Sequence, residues 1–250
     1  MKRPVLALAA AAAVSLASVA HAADLVVIAS NGVKGALEEL APHYEHASGN
    51  KLSFKWGVAA VLKRDIEAGA PFDLAILTNA IVADLVKQGK IAAGSETPIA
   101  RSGVGLMVRK GAPKPDLSSP EALKRAVLSA KSLTWAKEGA SGISFLNALE
   151  KLGIADDAKR KADLAADGAT AAQKVASGQV DLGALLINEI MAQPGVEVAG
   201  PLPAELQTYT AFSSGVATAS KNAAAAKALV DHLRSPDARA AFKAKGQEPG

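Results

Sequence analysis

The chain of 250 residues has no cysteine, few aromatic residues and no long apolar run beyond its first 22 residues. Without cysteine there can be no disulfide, no lipid-attachment cysteine, no thiol nucleophile and no thiolate metal site. Aromatic residues make up 4% of the chain, so alanine, valine and leucine must supply most of the core packing. Because no later segment approaches the ~18 uninterrupted apolar residues of a spanning helix, the sequence predicts no membrane span in the mature chain.

The first 22 residues carry all three parts of an export signal. Lys2 and Arg3 are followed by an apolar run from Val5 to Val19, and Ala20-His21-Ala22 is a small-x-small cleavage site. The run is rich in alanine and no stop-transfer charges follow it, which argues against a retained anchor. We therefore expect residues 1–22 to be a signal peptide, cleaved after Ala22, and the mature protein to reside in the periplasm of a Gram-negative cell or else outside the cell.

Charge is nearly balanced once this signal is removed. The chain has 28 basic and 24 acidic side chains, and loss of Lys2 and Arg3 leaves 26 against 24. A nucleic-acid-binding protein would show clustered lysine and arginine, so we expect no nucleic-acid partner. His43 and His46 lie three residues apart without an evident third ligand, and no dinucleotide motif is complete, so the sequence predicts neither a metal nor a cofactor.

Strand-like and helix-like segments alternate along the chain. Residues 24–40 read as a buried strand that passes through Ser30-Asn31-Gly32 into an amphipathic helix, and similar units follow at 52–66 and 73–89. Such repeats predict a mainly parallel sheet with helices on its faces and a ligand crevice beyond the carboxyl ends of the strands. Because a helix start leaves backbone N–H groups free, the Ser30-Asn31-Gly32 turn predicts an anion site.

The second half of the chain repeats this scheme and predicts two lobes with two crossings. A long strand is expected over 99–109, a helix cap at Ser118, a strand over 132–136 and a long β-like run over 207–220. We assign residues 23–100 plus 205–250 to the first lobe and 101–204 to the second. A cleft between two such lobes is a usual place for a small ligand.

Several segments resemble the molybdate-binding-protein family of type II periplasmic substrate-binding proteins, which serve ABC importers. They are ASNGVKGALEEL, WGVAAVLKRDIEAGAPFDLAIL, VASGQVDLGALL and LRSPDARAAFKAKG. The resemblance covers nearly the whole mature chain. It implies an α/β fold of the type II periplasmic binding protein class, with two α/β lobes joined by two crossover segments and a ligand cleft between them.

The resemblance also implies four stations around a small oxyanion, which helix-start N–H groups and hydroxyls hold without a required cation. Carried over by position, the ligand-binding residues are Ser30, Asn31 and Gly32, then Gly57, Val58 and Ala59, then Ser141 and Gly142, and finally Asn188. The second station lacks the serine usual in the family, and the fourth lacks its tyrosine. We therefore expect a small anion that is either an oxyanion or an organic di- or tricarboxylate.

An organic anion with several carboxylates would also need a cation. Arg101 and Ser102, at the first predicted crossing, are our candidates, because arginine binds carboxylate bidentately. The expected function is a monomeric solute receptor that captures the anion and docks on an ABC permease of the inner membrane. The alternative is an isomerase similar to periplasmic aconitate isomerase, with Glu189 as the acid-base residue. Against that role, Glu189 could simply favour a helix start through its charge.

Overall fold

The computed structural model describes residues 22–250, so the predicted signal peptide lies outside the described residues except for Ala22. The strands of this part are β1 (Asp24–Ser30), β2 (Lys51–Gly57), β3 (Leu74–Thr78), β4 (Thr97–Arg109), β5 (Leu133–Thr134), β6 (Leu182–Leu186), β7 (Val196–Pro201), β8 (Tyr209–Val216) and β9 (Glu248–Pro249). The helices are α1 (Lys34–Ser48), α2 (Ala59–Glu67), α3 (Asn79–Lys87), α4 (Pro120–Ser129), α5 (Ala140–Lys151), α6 (Ala155–Arg160), α7 (Gly168–Ala176), α8 (Ile187–Ala192), α9 (Ala223–Leu233) and α10 (Pro236–Ala244).

The strands form one mixed sheet in the order β2-β1-β3-β8-β4-β6-β5, with β7 and β9 also paired to β4. β1 runs parallel to β2 and β3, and β5 runs parallel to β6, as the repeated strand-helix units predict. β8 is antiparallel to both β3 and β4, and β4 is antiparallel to β6. The prediction of a mainly parallel sheet therefore needs correction at the centre, where the late strand β8 enters between β3 and β4.

The 13-residue strand β4 passes through both halves of this sheet. Its Thr97–Gly103 part pairs with β8, whereas Val104–Met107 pairs with β6. We call β2, β1, β3 and β8 the first half of the sheet, and β6, β5 and β7 the second half. The first predicted lobe contains the strands of the first half, and the second predicted lobe contains those of the second half. The lobe boundaries themselves stay a prediction.

Helix α1 illustrates how the helices pack on the sheet. Ala36, Leu37, Leu40 and Tyr44 recur at helical spacing and are all buried. Full burial of a leucine side chain contributes roughly 1.5–3 kcal/mol, so this face holds the helix in place. The Tyr44 hydroxyl donates to the Ala225 carbonyl over 3.0 Å, which ties α1 to α9.

Two local predictions differ from the structure. The α4 cap is Ser119, whose hydroxyl accepts from the Ala122 N–H at 3.1 Å, whereas the Ser118 N–H donates to Asp116. The strand expected over 132–136 is reduced to Leu133–Thr134, with isolated pairings at Leu133 and Ala136. Among residues 22–250, no helix is long and apolar enough to span a membrane.

Candidate functional site

A narrow cavity of about 30 Å³ lies between the two halves of the sheet, beyond the carboxyl ends of β1, β2 and β6. It has room for about two or three water-sized groups, which suits the anionic end of a ligand better than a whole organic acid. Both halves of the sheet contribute its walls, which consist of Ser30, Asn31, Gly32, Gly57, Val58, Ala59, Ala136, Gly139, Ala140, Ser141, Gly168, Leu185, Leu186, Glu189 and Phe212.

The first wall is the turn from β1 into α1. Ser30 is buried, and its hydroxyl oxygen accepts from the Gly32 N–H at 3.3 Å. The Gly32 carbonyl accepts two side-chain amides, from Asn188 at 2.8 Å and from Gln247 at 3.0 Å. Since the Ser30 hydroxyl accepts in this turn, its own proton is available to a ligand.

Gly32 also shows why this turn needs a residue without a side chain. A Cβ at Gly32 would lie 2.3 Å from Cζ of Phe212 and 3.1 Å from Cδ1 of Leu186. Phe212 is only 1% exposed, so its ring has little room to move aside. The wall of the cavity therefore depends on close contact between this glycine and a buried aromatic ring.

Two further walls are helix starts that lack a side-chain cap. The N-cap residues are Val58 for α2 and Gly139 for α5, and neither makes a side-chain capping hydrogen bond. The first N–H groups of a helix have no intrahelical acceptor, so those of α2 and α5 are available to a ligand. Ser141, in the first turn of α5, is 3% exposed and brings a hydroxyl to the same cavity.

The electrostatics of the cavity come from these dipoles, since within the described chain no lysine or arginine lines it. Helix starts favour an anion through their partial positive charge. Arg64 of α2 forms an ion pair of 2.7 Å with Glu138, which directly precedes the α5 start. This exposed pair connects two of the walls. Over residues 22–250 no three histidine, aspartate or glutamate side chains form a metal-binding group.

Glu189, in the first turn of α8, is the acidic residue of the cavity wall. Burial raises the pKa of its carboxyl to about 7, opposed by the Leu186 backbone N–H and supported by the nearby Asp167 charge. Such a pKa means that neutral and ionised forms coexist near pH 7. The side chain can therefore donate or accept a proton in a site otherwise built for an anion.

A wider groove of about 600 Å³ continues from the cavity towards solvent. Asn31, Gly57, Val58, Gly168 and Glu189 line both spaces, so the two are continuous. The residues that line the groove alone are Lys34, Gly35, Glu38, Trp56, Val61, Ala166, Asp167, Ala169, Asn188, Ala192 and Gln193. Asn188 thus lines the groove, and its side-chain amide also donates a hydrogen bond to the Gly32 carbonyl in the first wall of the cavity.

Arg101 and Ser102 do not reach this site, which corrects their assignment as a carboxylate clamp. The Arg101 side chain is exposed, donates to Glu248 at 2.7 Å through Nε, and lies 4.8 Å from the Tyr209 ring centroid. Ser102 is buried within β4. Gly142 does not line the cavity either, because it packs against Trp135 and the Ala136 carbonyl.

The sequence reasoning missed several residues that shape the site. Phe212 comes from β8, and Gln247 reaches the first wall from the C-terminal segment, 215 residues along the chain. Lys34 and Trp56 lie next to the first and second predicted stations and line the groove. The positive charge of Lys34 and the aromatic ring of Trp56 were the sequence features that could have indicated a role in binding. No local pattern marks Gln247, because only the folded chain brings it to Gly32.

Comparison with known proteins gives the family. The profile described as "Bacterial extracellular solute-binding protein" matches residues 25–248. Aconitate isomerase from Pseudomonas sp. is 30% identical over 231 residues, 90% of this chain and 87% of that protein. The molybdate-binding protein ModA of Azotobacter vinelandii is 29% identical over 237 residues, 92% of each chain.

A solved structure gives the same fold. The periplasmic molybdate-binding protein of Azotobacter vinelandii has a TM-score of 0.76 at 22% identity, over 89% of this chain and 98% of that one. The mixed α/β architecture with a curled sheet is thus that of periplasmic binding proteins, as the sequence predicts. With the match to 25–248, the chain belongs to the bacterial extracellular solute-binding protein family.

Proposed function

We propose that this protein is a periplasmic receptor for a small anion, which it binds in the cavity between the two halves of the sheet. The observation that carries the proposal is the meeting of the Ser30 turn and the uncapped starts of α2 and α5 around one small space. A hydrogen bond to a charged group contributes ~1.5–3 kcal/mol, and four or five of them match the roughly −8 kcal/mol of a micromolar complex before ordering costs.

Delivery to an ABC importer is part of this proposal. A ligand that bonds walls from both halves at once favours the conformation in which those walls are close together. That conformation would then dock on the permease. The molybdate-binding relatives and the predicted export signal support this function.

A thermal-shift and calorimetry screen of the mature protein tests the binding function. The ligands are molybdate, tungstate, sulfate, citrate and trans-aconitate. We expect at least one of them to bind, and Ser141→Ala to weaken it about tenfold or more, as for loss of a hydrogen bond to an anion. Ser129→Ala, on the exposed end of α4, is the matched control. If no anion shifts the melting temperature, or if Ser141→Ala binds as well as the wild type, the assignment of this cavity is wrong.

A second function is favoured by the position of Glu189 in the cavity wall. We infer an isomerase on the same scaffold, and the 30% identity to an aconitate isomerase supports it. The Glu189 carboxylate would take a proton from the allylic CH₂ of the substrate as the double bond shifts by one carbon. The resulting carboxylic acid would then return the proton to the former vinyl carbon. A pKa of about 7 leaves part of Glu189 ionised at neutral pH, as the first step requires, and lies near the value at which one group both accepts and returns a proton efficiently.

Incubation with trans-aconitate in D₂O, followed by NMR, separates the two functions. Turnover to the cis isomer, lost in Glu189→Gln and kept in the exposed-site control Glu205→Gln, would establish the isomerase. Binding of trans-aconitate without turnover or deuterium incorporation would leave the receptor function alone.

A further inference from the structure

The wider groove has room for more than a simple oxyanion. Its volume of about 600 Å³ compares with about 30 Å³ for the cavity, and the two share five lining residues. A ligand confined to the cavity would leave the whole groove to water. A ligand with a carbon skeleton could instead place one carboxylate at the helix starts and extend outwards past Glu189.

Lys34 is the basic residue that lines this groove in the described part of the chain. Its Nζ lies 5.9 Å from the centroid of the Trp56 ring and 3.6 Å from Oε1 of Glu38. The Lys34 and Glu38 side chains are 45% and 56% exposed, and in this pair lysine precedes glutamate on the helix, the weaker orientation. Such a pair contributes little, so a ligand carboxylate can displace Glu38 from Lys34 at small cost.

The groove has two other acidic side chains, Asp167 and Glu189, and in the described chain neither pairs with Lys34. Oδ1 of Asp167 caps α7 by accepting from the Thr170 N–H at 2.8 Å. Glu189 is partly neutral at pH 7 because burial raises its pKa. Trp56 stacks on Phe54 at a centroid distance of 4.6 Å, and Val58 and Val61 complete an apolar floor. The groove thus offers an apolar path from the cavity to one weakly engaged cation.

We propose that the groove is a second subsite for the distal carboxylate of an organic di- or tricarboxylic acid, with Lys34 as the residue that selects it over inorganic oxyanions. This inference rests on the proposed anion site, where the first carboxylate binds. The carbon chain lies along Trp56 and Val61. Glu38 competes with the ligand for the Lys34 ammonium group.

Calorimetry with trans-aconitate and with molybdate on three variants tests the subsite. Lys34→Met removes the charge and keeps much of the aliphatic part of the side chain. We expect it to weaken the binding of trans-aconitate about fivefold. Glu38→Gln removes the partner of Lys34 and should strengthen the binding of trans-aconitate about twofold. Neither change should alter molybdate affinity. Lys51→Met is the matched control, because Lys51 also pairs with a glutamate at 3.6 Å but lies outside the groove.

The outcomes distinguish this inference from the proposed function. If molybdate binds the wild type and trans-aconitate does not, the subsite is refuted and the anion site stands. Equal weakening of both ligands by Lys34→Met would mean a general electrostatic effect and would also refute the subsite. Weaker trans-aconitate binding in Glu38→Gln would mean that Glu38 assists the ligand and does not compete with it for Lys34, which would also refute the subsite. If no anion binds the wild type, the proposed function itself fails.

Discussion

Replacement of Glu189 by glutamine should stabilise the folded protein in a pH-dependent way. Glutamine has nearly the same shape and carries no charge at any pH. Burial in the cavity wall raises the pKa of Glu189 from 4.5 to about 7. Between pH 4.5 and about pH 7, the Glu189 side chain keeps its proton in the folded protein and loses it in the unfolded protein. The free energy of unfolding therefore decreases as pH rises through this window, and the loss is complete above it.

The magnitude follows from the size of the shift. Moving from 4.5 to about 7 corresponds to roughly 3 kcal/mol at 1.36 kcal/mol per unit. The side chain keeps some exposure towards the groove, which makes this an upper value. Glu189→Gln should therefore match the wild type at about pH 4 and exceed its stability by up to roughly 3 kcal/mol at about pH 8.5.

Urea unfolding of both proteins across this pH range measures the effect. Other titrating groups cancel when the two unfolding free energies are subtracted at each pH. Glu205→Gln, which changes an exposed acid outside the cavity and groove, is the control and should give no comparable trend. A constant difference between Glu189→Gln and wild type, or one that grows towards acid, would refute the burial of a titrating carboxyl at this site.

Three other substitutions test the site, two at the first wall and one at Arg101, outside the cavity. Gly32→Ala places a Cβ 2.3 Å from Cζ of Phe212, so we expect a loss of about 1–3 kcal/mol in unfolding free energy and weaker anion binding, measured by thermal melts and calorimetry. Gln247→Ala leaves the Gly32 carbonyl with Asn188 as its side-chain donor and should cost about 1 kcal/mol in urea unfolding, whereas no loss would mean that this bond is not formed in solution. Arg101→Ala should leave anion affinity unchanged in calorimetry, and a clear loss would return Arg101 to the site.

The sequence predicts the elements of this site better than it predicts their side-chain contacts. The turn at Ser30 and the start of α2 follow from apolar periodicity, because a strand that changes into an amphipathic helix must end near a free helix start. The carboxyl ends of parallel strands meet at one edge of a sheet, so the positions of these turns follow from topology. These are the parts that need only local pattern and a topological rule.

The position of the Arg101 side chain could not be deduced in the same way. In β4, Arg101 is an exposed position between the buried residues Ala100 and Ser102. Its partner Glu248 arrives in β9, which pairs with β4 from the end of the chain. The positive charge of Arg101, at the point where the chain was predicted to cross between lobes, suggested a carboxylate clamp. The direction of its side chain, however, depends on the pairing of β4 with a strand nearly 150 residues further along the chain.

The two amides that hold the Gly32 carbonyl have a consequence for the order of folding. Gln247 lies 215 residues after Gly32, so this bond can form only after residue 247 has joined the folding chain. The turn between β1 and α1 thus receives one of its supports from a residue far along the chain. Contacts of such long sequence separation are slow to form. A chain that lacks Gln247 would therefore keep Asn188 as the one of these two amides on the Gly32 carbonyl, and the first wall of the cavity would be held less firmly.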